Sequence, residues 1–161
     1  MASTTFSGPV TSTAGFISGS DSLVSATAAT LAVTAAAHAG RTVLLDRAAG
    51  QAVTLPAATG TGNAYKFFVL TTITSNSTTI KVADATDIMA GVAIVANDSD
   101  ASASIFETAA DSDTITFDGS TTGGIKGAVV VLQDVATNLW SVNIVGAATG
   151  SEATPFSATV S

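Results

Sequence analysis

The chain contains one histidine and no cysteine. Without thiols it has no disulfide, no zinc–thiolate site, no iron–sulfur ligation and no cysteine nucleophile. The histidine, His38, stands in Ala-Ala-His-Ala-Gly just before a glycine turn. A triad or zinc site built on it would need distant carboxylates, so His38 reads as a solvated loop residue or a turn hydrogen bonder. Serine is plentiful, but an activated serine needs an adjacent base, and no Gly-x-Ser-x-Gly elbow occurs. Gly60-Thr-Gly62 has the glycines of a phosphate-cradling loop without a P-loop lysine or a following helical pattern, and it reads as a hairpin loop. The carboxylates come nearest to a metal site. Asp98, Asp100 and Glu107 share one segment, with Asp111 and Asp113 just beyond, and hard oxygen ligands at a spacing of two are what calcium takes. An EF-hand loop counted from Asp98 would need Gly at position six and Glu at position twelve; Ala103 and Ala109 stand there. The acidic residues therefore read as solvating an otherwise uncharged loop, with a weak structural cation as the other option. Asn76-Ser-Thr78 and Asn97-Asp-Ser99 match the glycosylation sequon, as expected by chance in so hydroxyl-rich a chain. The expectation is a non-enzyme with no catalytic residue, no cofactor and no metal.

The elements that would position these residues read as strands. Thr30-Leu-Ala-Val-Thr34, Thr42-Val-Leu-Leu-Asp46, Gln51-Ala-Val-Thr-Leu55 and Thr79-Ile-Lys-Val-Ala83 alternate apolar and polar residues with period two. Tyr65 to Thr72, Ala90 to Val95, Asp113 to Phe117, Lys126 to Gln133 and Asn138 to Val145 add five more. The Ala-rich stretch 26–39 has helix-forming composition, but its interleaved threonines favour a strand. Residues 42–46 and 51–55 read as a hairpin, and the apolar run 126–133 as a strand buried on both faces. About nine short strands with turn signals every 8–12 residues predict an all-β fold, an antiparallel β-sandwich or barrel.

Length and charge narrow the partners. The 161 residues suit one domain. Ser and Thr number 44, while charged residues make up 11% and five Lys/Arg face twelve Asp/Glu. A net charge of −7 disfavours nucleic acid, which needs clustered cations, and an anionic membrane surface. No apolar stretch approaches a membrane span, and the N-terminus lacks the cationic and apolar regions of a secretory signal. High apolar content with so few charges favours self-association, and a homotrimer is expected.

Residues 1–22 are polar apart from a few large apolar groups, and they read as an extended N-terminal arm. Phe6, Pro9, Val10, Phe16 and Ile17 would be its docking residues. Residues 23–145 form the β domain and 146–161 a C-terminal tail. Tyr65, Phe67, Phe68 and Trp140 are expected in the core or at a subunit interface. They share strands with Val and Ile, which argues against a platform for sugars.

Several phrases resemble virion structural proteins of tailed bacteriophages. Thr5-Phe-Ser-Gly-Pro-Val10 with Gly15-Phe-Ile17 is similar to their N-termini. Gly40-Arg-Thr-Val-Leu-Leu-Asp46, Ala52-Val-Thr-Leu-Pro-Ala-Ala-Thr-Gly60, Tyr65-Lys-Phe67, Gly124-Ile-Lys-Gly127, Asp134 and Leu139-Trp140 resemble recurrent text of phage head decoration and fibre-type proteins. The resemblance implies a capsid decoration (cement) protein: small, β-rich, usually trimeric, bound to the major capsid protein on the outer capsid surface of the virion. A head- or tail-fibre module binding host glycans is the alternative it implies.

Overall fold

A strand that alternates Thr with Val, Ile or Leu has one hydroxylated face and one apolar face. In the computed structural model, which describes residues 23–160, that pattern produces twelve strands and a single helical turn among the described residues. The first half of the chain holds β1 (Leu23–Ala26), β2 (Thr30–Ala32), α1 (Ala35–His38), β3 (Thr42–Leu45), β4 (Ala52–Thr54), β5 (Ala64–Val69) and β6 (Thr78–Lys81). The second half holds β7 (Ile88–Ala96), β8 (Ala103–Glu107), β9 (Thr114–Phe117), β10 (Val129–Ala136), β11 (Leu139–Ala147) and β12 (Phe156–Ser157). The fold is all-β in two sheets. Sheet A has the order β1-β3-β5-β10-β11-β7-β8, and sheet B has the order β12-β9-β6-β4-β2.

The first six strands alternate between the sheets. β1, β3 and β5 are parallel neighbours in sheet A, and β2, β4 and β6 are parallel neighbours in sheet B. The chain thus makes three stacked passes, each running from sheet A to sheet B. Leu23 pairs with Thr42 and Thr42 with Lys66, steps of 19 and 24 residues. Thr30 pairs with Ala52 and Ala52 with Thr79, steps of 22 and 27. These unequal steps hide the repeat in the sequence. The later strands are mostly antiparallel: β10 lies between β5 and β11, and β9 between β6 and β12. β7 pairs parallel with β11.

The wholly antiparallel expectation is therefore corrected to a mixed topology, and the hairpin of 42–46 with 51–55 does not form. Between them, the Gly50 N–H donates to the Arg47 carbonyl, and the Arg47 Nε donates to the Gly50 carbonyl. Gly50 takes φ +71°, a conformation glycine adopts without steric cost. This corner carries the chain into sheet B, where Val53 and Leu55 meet the same core as Val43 and Leu45. The Ala-rich stretch divides between β2 and α1, where the Thr34 hydroxyl accepts the Ala37 N–H. His38 ends that turn buried, not solvated, and its Nδ1 accepts the Thr34 N–H at 3.0 Å.

One core is shared by both sheets. Val43, Phe67, Val130, Ile144 and Ala93 lie side by side across sheet A. Val53, Ile80, Ile115 and Phe156 do the same across sheet B. All nine are buried, and each buried Val, Ile or Phe side chain contributes about 1.5–3 kcal/mol. β12, within the expected tail, inserts Phe156 into this core. Asp113 secures the segment by accepting the Thr159 N–H at 2.8 Å and the Val160 N–H at 3.0 Å.

Candidate functional site

β10 is buried on one side only, which corrects the expectation of a strand covered on both faces. Val130 and Leu132 point into the core while Val131 and Val135 stay exposed. The same is true along the whole outer side of sheet A. Strand registers align Leu44, Phe68, Val129, Val145, Ile94 and Ile105 into one row across six strands. Leu44, Phe68 and Val129 are half-buried. Val145 is 59% exposed, Ile94 40% and Ile105 66%. The neighbouring row reads Thr42, Lys66, Val131, Asn143, Val92 and Glu107. Across six strands and two rows, the only charges are therefore one cation and one anion. An apolar surface this continuous marks an association site more often than bare solvent-facing surface.

A second cluster gathers where β10 meets the 58–63 loop. Asp134, on the inner side of β10, accepts the Gly60 N–H at 2.6 Å, the Thr61 N–H at 2.9 Å and the Thr61 hydroxyl at 2.7 Å. Burial opposes its ionisation, but these hydrogen bonds outweigh burial and hold its carboxyl below the usual carboxylate value. Asp87, also buried, accepts the Ala58 N–H at 3.0 Å. Its carboxyl is pushed up, by burial first and by the charges of Asp84 and Asp134 after it. Burial and then the charge of Asp134 push the Tyr65 phenol up. Pro56, Thr59, Thr61, Asn63, Tyr65 and Asp134 line a depression of about 190 Å³, below the roughly 300–1,000 Å³ of ligand pockets. With three donors on its two oxygens, Asp134 fastens a loop to a strand.

Three carboxylates of the acidic segment are likewise tied to backbone. Asp98 accepts the Gly150 N–H and Asp100 the Ser102 N–H, while Asp113 holds the C-terminal strand. Among the described residues no group of three or more His, Cys, Asp or Glu side chains converges to hold a metal. Tyr65, Phe67 and Trp140 are fully buried, and the Tyr65 and Trp140 rings meet edge-on with centroids 5.7 Å apart. Phe68 instead lies half-buried in the apolar outer row. Phe6, Pro9, Val10, Phe16 and Ile17 lie outside the described residues.

Of the apolar row, only Phe68 is among the residues expected from the sequence at the core or a subunit interface. The row's signal is present in the chain: Phe67-Phe-Val69, Val129-Val-Val131 and Val92-Ala-Ile-Val95 are apolar at both parities of the strand, so one face covers the core and the other is apolar as well. No protein-family model, curated protein or solved structure matches the chain.

Proposed function

We propose that this chain is a structural virion protein, a capsid decoration protein that binds the outer surface of the major capsid protein lattice and stabilises the head. The observation that carries this reading is the outer face of sheet A, apolar and almost free of charge on a small all-β chain. Such a face suits protein–protein contact and offers nothing to phosphates or anionic lipid. The phrases that resemble phage head proteins fall on β3, β4, β5 and the loop that Asp134 fastens. On this reading the two sheets form a sandwich, and residues 1–22 act as an arm. An arm of that kind adds a strand to an exposed sheet edge of the capsid protein, where backbone hydrogen bonds supply affinity. Self-association multiplies each such contact. A glycan-binding fibre module would need exposed aromatic platforms, whereas Tyr65 and Trp140 are fully buried.

The test is co-sedimentation with virions stripped of this chain, using the full chain and a variant lacking residues 1–18. Full-length protein should return to the capsid, visible as surface density in negative stain. The truncated protein should keep its β circular dichroism and stay in the supernatant. Failure of the full chain to bind, or equal binding by both, would refute the reading.

A further inference from the structure

The outer face of sheet A is self-complementary about its middle strand. Take β11 as the centre of the five strands β5, β10, β11, β7 and β8. In the apolar row, Phe68 and Val129 lie on one side of Val145, and Ile94 and Ile105 on the other. In the next row, Lys66 and Val131 lie on one side of Asn143, and Val92 and Glu107 on the other. A two-fold rotation about an axis along β11 turns one half of the face onto the other. It sets Phe68 over Ile105 of a second copy, Val129 over Ile94 and Val145 over Val145. It also sets Val131 over Val92, Asn143 over Asn143, and the cation of Lys66 over the anion of Glu107, twice.

We propose that two copies of this chain pair face to face through the outer side of sheet A, related by a two-fold axis along β11. An isologous contact of this kind requires one patch that matches itself, and the two rows do so in shape and in charge. Facing sheets pack about 10 Å apart with strand directions within about 30° of each other, which an axis along β11 meets, and Lys and Glu side chains bridge that separation. The five paired strands at about 4.8 Å, with up to nine residues each at about 3.3 Å, give a footprint of several hundred Å². That is on the order of the ~800 Å² per partner of a standard interface. The inference rests on strand register and charge and not on the capsid reading; with this face paired, capsid contact falls to the 1–22 arm. It replaces the three-fold association expected from composition with a two-fold one.

Sedimentation equilibrium of the full chain at micromolar concentration tests it. The expected mass is twice the 15.7 kDa of the chain. Val145→Lys places two cations across the axis and should give a monomer. Lys66→Glu and Glu107→Lys each set like charges against each other and should weaken pairing at least about tenfold. The double variant Lys66→Glu/Glu107→Lys exchanges the charges and should restore it. Both charge positions are exposed, so circular dichroism should not change in any of these three charge variants, even if Val145→Lys fails to fold. A monomeric or trimeric wild type overturns the proposal, and so does a dimer indifferent to the single charge reversals. A monomer that pairs only after residues 1–22 are removed also overturns it, by showing that the chain's own arm covers this face. Capsid co-sedimentation is read separately, so a dimer that ignores capsids sinks the decoration reading and leaves this one standing.

Discussion

Replacing Asp134 by Asn removes a charge and one acceptor while keeping the side-chain shape, which isolates what the carboxylate does. Asp134 accepts from Gly60 N, Thr61 N and Thr61 Oγ1 at 2.6–2.9 Å. The loop is also held by backbone: Gly62 N donates to the Asp134 carbonyl at 2.8 Å, and Asp134 N donates to the Asn63 carbonyl at 3.0 Å. The loop therefore stays in place in the variant, and only the side-chain contribution is lost. Hydrogen bonds to a charged group contribute about 1.5–3 kcal/mol each, and an amide turned toward an N–H donor leaves that donor unpaired. Gly60 and Thr61 are exposed, so water recovers part of the loss. The net destabilisation should be about 2–4 kcal/mol, a large share of a typical 5–15 kcal/mol. At roughly 2–4 °C per kcal/mol for a chain of this size, the melting temperature falls by about 4–16 °C. Urea denaturation read by fluorescence of Trp140, the only tryptophan, checks this, because Trp140 is the residue paired with Asp134 in the β10–β11 register. Thr61→Val removes only the hydroxyl donor and should cost about 1 kcal/mol, with a smaller effect when combined with Asp134→Asn because the two share one bond. A loss below about 0.5 kcal/mol for Asp134→Asn would refute the view that this carboxylate fastens the loop.

Trp140→Ala should cost about 3–5 kcal/mol, whereas Trp140→Phe should cost clearly less, because it also removes a buried indole N–H that has no partner; paired urea melts followed by circular dichroism measure the difference. Gly91→Ala should lower the melting temperature sharply, since a Cβ there would lie 1.8 Å from the Val142 carbonyl oxygen across the β7–β11 pairing; an unchanged thermal melt refutes this. Acid should destabilise the fold. At Asp118 burial raises the carboxyl, but hydrogen bonds from Ser120, Thr121 and Thr122 prevail and hold it at about 2 against an ordinary 3.8, and Asp134 is lowered in the same sense. A lowered folded value means stability present above about pH 4 and lost as pH falls toward 2. Asp87, raised, acts in the opposite direction. Urea midpoints measured from pH 5 to pH 2 should fall, and a flat profile contradicts the assignment.

Much of the all-β character was legible because it is local. Period-two alternation in 42–46, 52–55 and 79–83 needs only the nearest residues, and the paucity of charge and absence of cysteine are properties of composition. Trp140, Tyr65 and Phe67 are aromatic groups inside predicted strands, which favours burial, but the same signal at Phe68 leaves it half-buried in the outer row. Which strands pair was decided by tertiary structure. β3 and β4 look like a hairpin because each alternates in the same way, yet an alternating strand satisfies its apolar face in either sheet. The corner at Arg47 to Gly50 takes the chain from sheet A to sheet B. The apolar residues at the second parity of β5, β7, β10 and β11 are visible in the chain, but their alignment into one row is not, because register is set by partners far away in sequence. Asp134 shows the same division. Its residue type announces an anion, while its work as a loop fastener depends on Gly60 and Thr61, 74 and 73 residues away, brought within hydrogen-bonding distance only when β5 and β10 pair.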